Sequence, residues 1–159
     1  MFSLPRLLKP TSDLLTSKLF DEKTFYKAFI QDLDKCKKDV IIESPYITCS
    51  RMEIFKPVFK KLLSKKVKIF LITRDPMEHD ENIRHQATNE ILESKEMGIN
   101  ITLFRGNHHR KLAILDKKIL WEGSLNILSQ TYSCEIMRRI ESKELVKQMY
   151  NFLGLKNII

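Results

Sequence analysis

The chain has 159 residues, 43% hydrophobic and 30% charged, enough for one compact domain with a real core but not for two large ones. Its 4 glycines and 5 prolines exclude collagen-like, low-complexity and linker-dominated architectures. Lys and Arg outnumber Asp and Glu by 28 to 20, a formal charge of +8, which favours an anionic partner: nucleic acid, an acidic membrane surface or a phosphate-bearing substrate.

Residues 1–20 carry Pro5, Pro10 and several Leu without a clear period, and Arg6, Lys9, Asp13 and Lys18 interrupt them. They lack the unbroken apolar run of a signal peptide or a membrane span. They read as an arm, a linker or a partner-docking segment, and the protein as soluble and cytoplasmic. Residues 21–159 read as one domain. From Asp21 to Lys38, Phe25, Phe29, Leu33 and Cys36 recur at helical spacing. Asp39 to Ser44 is a short buried strand ended by Pro45.

Ser50-Arg51-Met52-Glu53 has the capping-box pattern. The helix it opens carries Phe55, Val58, Phe59, Leu62 and Leu63 on one side, with Pro57 expected to kink it or mark a second start. Val67 to Thr73 is the next strand, followed by a charged loop, Arg74 to Asp80. A helix from about Glu81 to Met97 closes at Gly98. Further strands are Asn100 to Phe104, His109 to Leu115, Lys118 to Glu122 and Glu135 to Ile140, with a last helix over Ser142 to Leu153. This alternation predicts an α/β fold whose sheet is covered on both faces.

The chemistry concentrates in His109-Arg110-Lys111-Leu112-Ala113-Ile114-Leu115-Asp116 and Gly123-Ser124-Leu125-Asn126. On a strand His109 and Lys111 share a face. An imidazole beside an ammonium suits phosphate: the lysine neutralises the oxygens while the histidine acts on phosphorus or on a leaving oxygen. Gly123 permits a tight backbone turn, and Ser124 and Asn126 offer uncharged donors. The three cysteines, Cys36, Cys49 and Cys134, have neither CxxC nor CxH spacing, so a disulfide framework or structural zinc is not expected and a reducing compartment fits.

HxKx4D followed after six residues by GSxN resembles the signature of the phospholipase D superfamily, and all six fixed positions are filled. Ile41-Ile42-Glu43-Ser44-Pro45-Tyr46 resembles the first core strand and loop of that fold, a mixed central β-sheet flanked by helices on both faces. The resemblance implies that His109 is a nucleophile forming a phosphohistidine, that Lys111 and Asn126 hold the non-bridging phosphate oxygens, and that Ser124 supports them. It implies a structural role for Asp116 in the turn after the strand. It also implies an acid that hydrogen-bonds the far nitrogen of the nucleophile, for which Glu135 is best placed and Glu122 less so.

The family needs two histidines, one to attack and one to protonate the leaving oxygen, and this chain has one HxK. His79, His85 and His108 lack a lysine at that spacing. Small members solve this by pairing two copies across a two-fold axis, so a homodimer with a shared site is expected, without metal or cofactor.

The remaining candidates carry simpler readings. Arg105 and Arg110 flank the motif and are expected, with Arg138 and Arg139, to line a substrate groove. Lys56, Lys60, Lys61, Lys65 and Lys66 form the wet face of a helix. Trp121 and Tyr46 suit either base stacking or a core or interface. His79 and His85 read as solvated, His108 as a neighbour on the face opposite His109, and Cys134 as packing. The leading functional expectation is a DNA endonuclease. The alternatives are a phospholipid phosphodiesterase or transphosphatidylase, and a non-catalytic nucleic-acid-binding module of a larger assembly.

Overall fold

The computed structural model describes residue 14 and residues 16–129 and 132–158. A partner-docking role for the first twenty residues therefore falls mostly outside the described residues. Seven strands form one mixed sheet: β1 (Lys18–Asp21), β2 (Asp39–Glu43), β3 (Lys68–Arg74), β4 (Asn100–Phe104), β5 (Leu112–Leu115), β6 (Ile119–Gly123) and β7 (Ile136–Glu141). Their order across the sheet is β1-β7-β6-β5-β2-β3-β4. β2, β3 and β4 run parallel, whereas β2–β5, β5–β6, β6–β7 and β1–β7 pair antiparallel. β2 is thus the strand at which the sheet changes from parallel to antiparallel pairing.

Each face has its own core. On one, α1 (Phe25–Asp34), α2 (Cys49–Ser64) and α3 (Glu81–Glu96) cover Val40, Ile42, Ile69, Leu71, Ala113 and Trp121. The predicted helical set Phe25, Phe29, Leu33 and Cys36 is buried here. Trp121 is fully buried, edge-on to Phe25 and Phe29. Its indole N–H donates to Asp32 Oδ2 at 3.1 Å, and Arg139 Nε donates to the same oxygen at 2.6 Å. Trp121 and Arg139 therefore belong to the core and its buried ion pair, not to a substrate groove. On the other face α4 (Lys143–Phe152) packs Val146 over Ile41, Ile114, Leu120 and Ile140.

Several boundaries differ from expectation for identifiable reasons. The sheet takes in Lys18 to Phe20, assigned above to an arm, because this short stretch completes the edge of the sheet beside β7. α2 starts at Cys49 with Thr48 as its cap, and no side chain caps it. The Thr48 amide donates to Leu128 O at 3.0 Å, so a tertiary bond holds Thr48 extended, and the Ser50–Glu53 capping box does not form. Pro57 lies inside α2 without ending it, while Phe55 and Phe59 on either side anchor the helix to the core. β5 begins at Leu112 rather than His109, because β2, its neighbour, ends at Glu43 opposite Leu112 and the chain turns away at Pro45.

Candidate active site

His109 and Lys111 sit on the approach to β5, three residues and one residue before Leu112, where its pairing with β2 ends. On the other side the Gly123 amide still donates to Lys111 O at 3.4 Å, which ties this approach to the end of β6. The Lys111 ammonium lies 2.5 Å from His109 Nδ1 and 2.6 Å from the His109 carbonyl oxygen. Burial, then the Lys111 and Arg74 charges, hold the His109 pKa below the usual imidazole value. Both effects favour the neutral ring, the form that offers a nitrogen lone pair. Lys111 is itself pulled down by burial and pushed up by Glu135.

The second half of the motif is locked by alternation. Leu125, Ile127 and Leu128 are fully buried, while Ser124 and Asn126 are not. The Ser124 amide donates to Ile136 O at 2.9 Å, and Ser124 Oγ accepts from the Ile136 amide at 3.1 Å. This double bond to β7 is possible because residue 123 has no side chain: a Cβ there would lie 2.0 Å from Ile136 O. The need for glycine is close approach, not the tight turn expected from sequence; Gly123 does not have a positive φ. Asn126 Oδ1 is buried with no hydrogen-bond partner among the described residues.

Glu135 belongs to the same cluster but not in the expected way. No hydrogen bond joins it to the His109 ring. Its Oε1 accepts from Ser133 Oγ at 2.7 Å, and bonds from the Ser124 and Ser133 hydroxyls hold its pKa below the usual carboxylate range. It acts electrostatically on Lys111. Glu122 also lies on the groove wall. The Asp116 carboxylate accepts from the amides of Lys37 (2.9 Å), Lys38 (2.8 Å) and Asp39 (3.2 Å). That arrangement fastens the β5–β6 turn to the start of β2.

A groove of about 880 Å³ opens at the motif, lined by His109, Lys111, Ser124 and Arg138 among others. Its rim also carries apolar side chains left in solvent, Leu19, Ile136 and Phe152. Arg110 lines the groove while its Nε donates to Glu43 Oε1 at 2.7 Å. Arg105 does not line it: its guanidinium bonds Asp75 at 2.7 Å. Arg138 Nη1 donates to Ser17 Oγ at 2.7 Å.

The structure also brings forward residues that the motif reading passed over. His79 is buried rather than solvated, its ring 4.8 Å from that of Tyr46, and Tyr46 in turn lies 6.0 Å from the His109 ring. Arg74 bonds Glu78 and Asn107 beside them. His85 is exposed, and His108 is buried beneath Phe104. Cys134, expected to pack, is exposed. Glu43, the acceptor for Arg110, had a cue in the chain, since it closes the apolar run Val40-Ile41-Ile42. His79 carried none, since a histidine in a charged loop reads as wet.

A family model described as "Cardiolipin synthase, PLD-like domain" matches residues 29–154, most of the chain. The chain belongs to the phospholipase D superfamily. No curated protein sequence matches it. Among solved structures it is similar to Nuc, a phospholipase D family member from Salmonella typhimurium, with a TM-score of 0.70 at 14% identity over 86% of this chain and 90% of that one. NucT from Helicobacter pylori gives a TM-score of 0.69 at 18% identity over 91% and 98%. Phosphatidylserine synthase from Haemophilus influenzae gives 0.64 at 15% identity over 87% of this chain but 38% of that one. At these identities the structural likenesses establish the fold, a phospholipase D-like mixed sheet. Among the described residues no helix is long and apolar enough to cross a membrane.

Proposed function

We propose that the protein is a metal-independent phosphodiesterase acting on nucleic acid, most readily as a DNA endonuclease, at a site completed by a second copy of the chain. The observation that carries this reading is the placement of His109 and Lys111 side by side on the wall of an open groove, the Lys111 ammonium 2.5 Å from His109 Nδ1. A His109 nitrogen attacks phosphorus and forms a P–N bond. The P–O bond opposite breaks, and the leaving oxygen takes a proton from His109 of the second copy, which enters the step as the imidazolium while the attacking ring is neutral, the two rings sharing one proton. That same imidazole, now neutral, removes a proton from water, which attacks phosphorus, breaks the P–N bond and returns His109 to its starting state. Lys111 balances charge on the phosphoryl oxygens in both steps, with Asn126 as an uncharged contact.

Two observations support the shared site. One His–Lys pair is present, and the groove that holds it is rimmed by Leu19, Ile136 and Phe152, apolar surface suited to burial between copies. The formal charge of +8 supports nucleic acid over a neutral lipid. The same apolar rim also suits acyl chains, which favours phospholipid hydrolysis or transphosphatidylation as the second reading.

The test is one incubation in excess chelator of wild type and His109→Ala with labelled DNA, labelled RNA and phosphatidylcholine or cardiolipin vesicles. DNA cleavage that persists in chelator and vanishes in His109→Ala is the expected result. Cleavage abolished by chelator refutes the metal-free mechanism, and activity confined to vesicles selects the lipid reading. An active monomer by sedimentation refutes the shared site. DNA binding without cleavage by wild type, matched by His109→Ala, would leave a binding module.

A further inference from the structure

We propose that Glu43 and Ser44, where β2 ends, are a positioning pair that fixes the two halves of the HxK and GSxN motif relative to each other. The inference rests on the reading of His109 as nucleophile. Glu43 is the last residue of β2 and Ser44 the first beyond it, and each holds one half of the site. Glu43 is fully buried, and its Oε1 accepts from Arg110 Nε at 2.7 Å. His108 Nε2 lies 2.7 Å from the same oxygen without hydrogen-bonding it, and its ring is stacked on Phe104 at 4.9 Å. Of the two residues flanking His109, Arg110 is held by this carboxylate and the His108 side chain is packed against it, while His109 between them is left exposed.

Ser44, also fully buried, works on the other half. Its Oγ accepts from the Leu128 amide at 3.2 Å and donates to Tyr46 O at 3.1 Å. Leu128 O in turn accepts from the Thr48 amide at 3.0 Å. The loop carrying Ser124 and Asn126 is therefore fastened to the turn that follows β2.

Both grips lie where strand pairing stops. β5 pairs with β2 only as far as Leu112 opposite Glu43, so His109 to Lys111 have no ladder partner on that side. A buried carboxylate is a costly way to fill space, and apolar replacements for buried ion pairs are often as stable or more so. Glu43 Oε2 has no hydrogen-bond partner among the described residues, and burial raises the Glu43 pKa against the opposing charge of Arg110. What the carboxylate supplies is registry. A misplacement of about 1 Å can cost roughly a hundredfold in rate.

The test compares Glu43→Gln, Arg110→Gln and Ser44→Ala by 15N relaxation and by kinetics on the DNA substrate of the wild type. Arg110→Gln approaches the clamp from its exposed end, so a folding failure of Glu43→Gln does not decide the matter. The expected result is segmental. Glu43→Gln and Arg110→Gln lower the order parameters of residues 108–111 from the rigid range near 0.85 to below about 0.6, with Leu125 to Ser129 unchanged. Ser44→Ala does the reverse. In each, kcat falls at least tenfold while KM stays within threefold.

Loss of order spread over the whole sheet, no local change, or a local change with kcat and KM intact would each overturn the proposal. If wild type cleaves no phosphodiester, the functional reading fails. The relaxation pattern still decides whether this pair pins the two segments.

Discussion

Gly123→Ala isolates the contact on which the second half of the site depends. An alanine Cβ at this position would lie 2.0 Å from Ile136 O, 2.8 Å from Met137 Sδ and 2.9 Å from the Ile136 carbonyl carbon. Two of those atoms are backbone, so no rotamer change relieves the clash, and β6 and β7 must separate. Overpacking of this kind costs about 1–3 kcal/mol. Separation also breaks the paired bonds between Ser124 and Ile136, at 2.9 and 3.1 Å, each worth about 1 kcal/mol.

The sum, about 3–5 kcal/mol, is a large share of a native stability of about 5–15 kcal/mol. At about 2–4 °C per kcal/mol for a chain of this size, Tm falls by about 6–20 °C. Thermal denaturation followed by circular dichroism reads this directly. Gly98→Ala is the control. Gly98 has φ +94° but nothing within 4 Å of an added Cβ, so only backbone strain of about 1–2 kcal/mol applies. A Gly123→Ala melting point within the range of the Gly98→Ala variant would refute the close-approach argument and restore the turn as the reason for glycine.

Lys111→Met removes a cation from beside the His109 ring, so the imidazolium becomes easier to form and the His109 titration midpoint rises toward its ordinary value. Histidine NMR titration checks this without any substrate, and an unchanged or lower midpoint contradicts it. Asp116→Ala strips the acceptor from the amides of Lys37, Lys38 and Asp39, two of which then turn to water, for a net loss of about 2–4 kcal/mol; an unshifted urea midpoint would refute it. Asp32→Ala leaves Arg139, 20% exposed, without its buried partner and Trp121 without its acceptor, a loss of about 3–5 kcal/mol. Adding Arg139→Met to Asp32→Ala recovers part of that loss in the same urea experiment; a double variant weaker than the single one would count against a buried ion pair.

What could be read from the chain follows from how local each signal is. The helical spacing of Phe25, Phe29 and Leu33 and the apolar run of β2 depend on periodicity alone, and both elements form where expected. The motif residues were legible because their spacing is fixed by a hairpin, β5 to β6, with Asp116 at its turn. The errors lie where a distant segment decides. Thr48 caps α2 because Leu128, 80 positions on, bonds its amide. His79 is buried because Tyr46, from another loop, covers it. Glu135 differs, since its partners Ser133 and Ser124 are near in sequence, yet no spacing rule distinguishes them from a bond to His109.

Charge shows the same division between what a sum can say and what a fold must decide. A surplus of +8 points to an anion but not to where it binds. In the folded chain Arg74 pairs with Glu78, Arg105 with Asp75, Arg110 with Glu43 and Arg139 with Asp32. Four arginines that could have met phosphate are thereby held by carboxylates. Of the cations on the groove wall, Lys111 and Arg138 form no ion pair with a carboxylate among the described residues. Lys111 also has its pKa drawn down by burial, so an arriving phosphate oxygen would offset the cost of keeping that ammonium charged. An ammonium with no carboxylate partner among the described residues thus sits beside His109, just past the last pairing of β5 with β2.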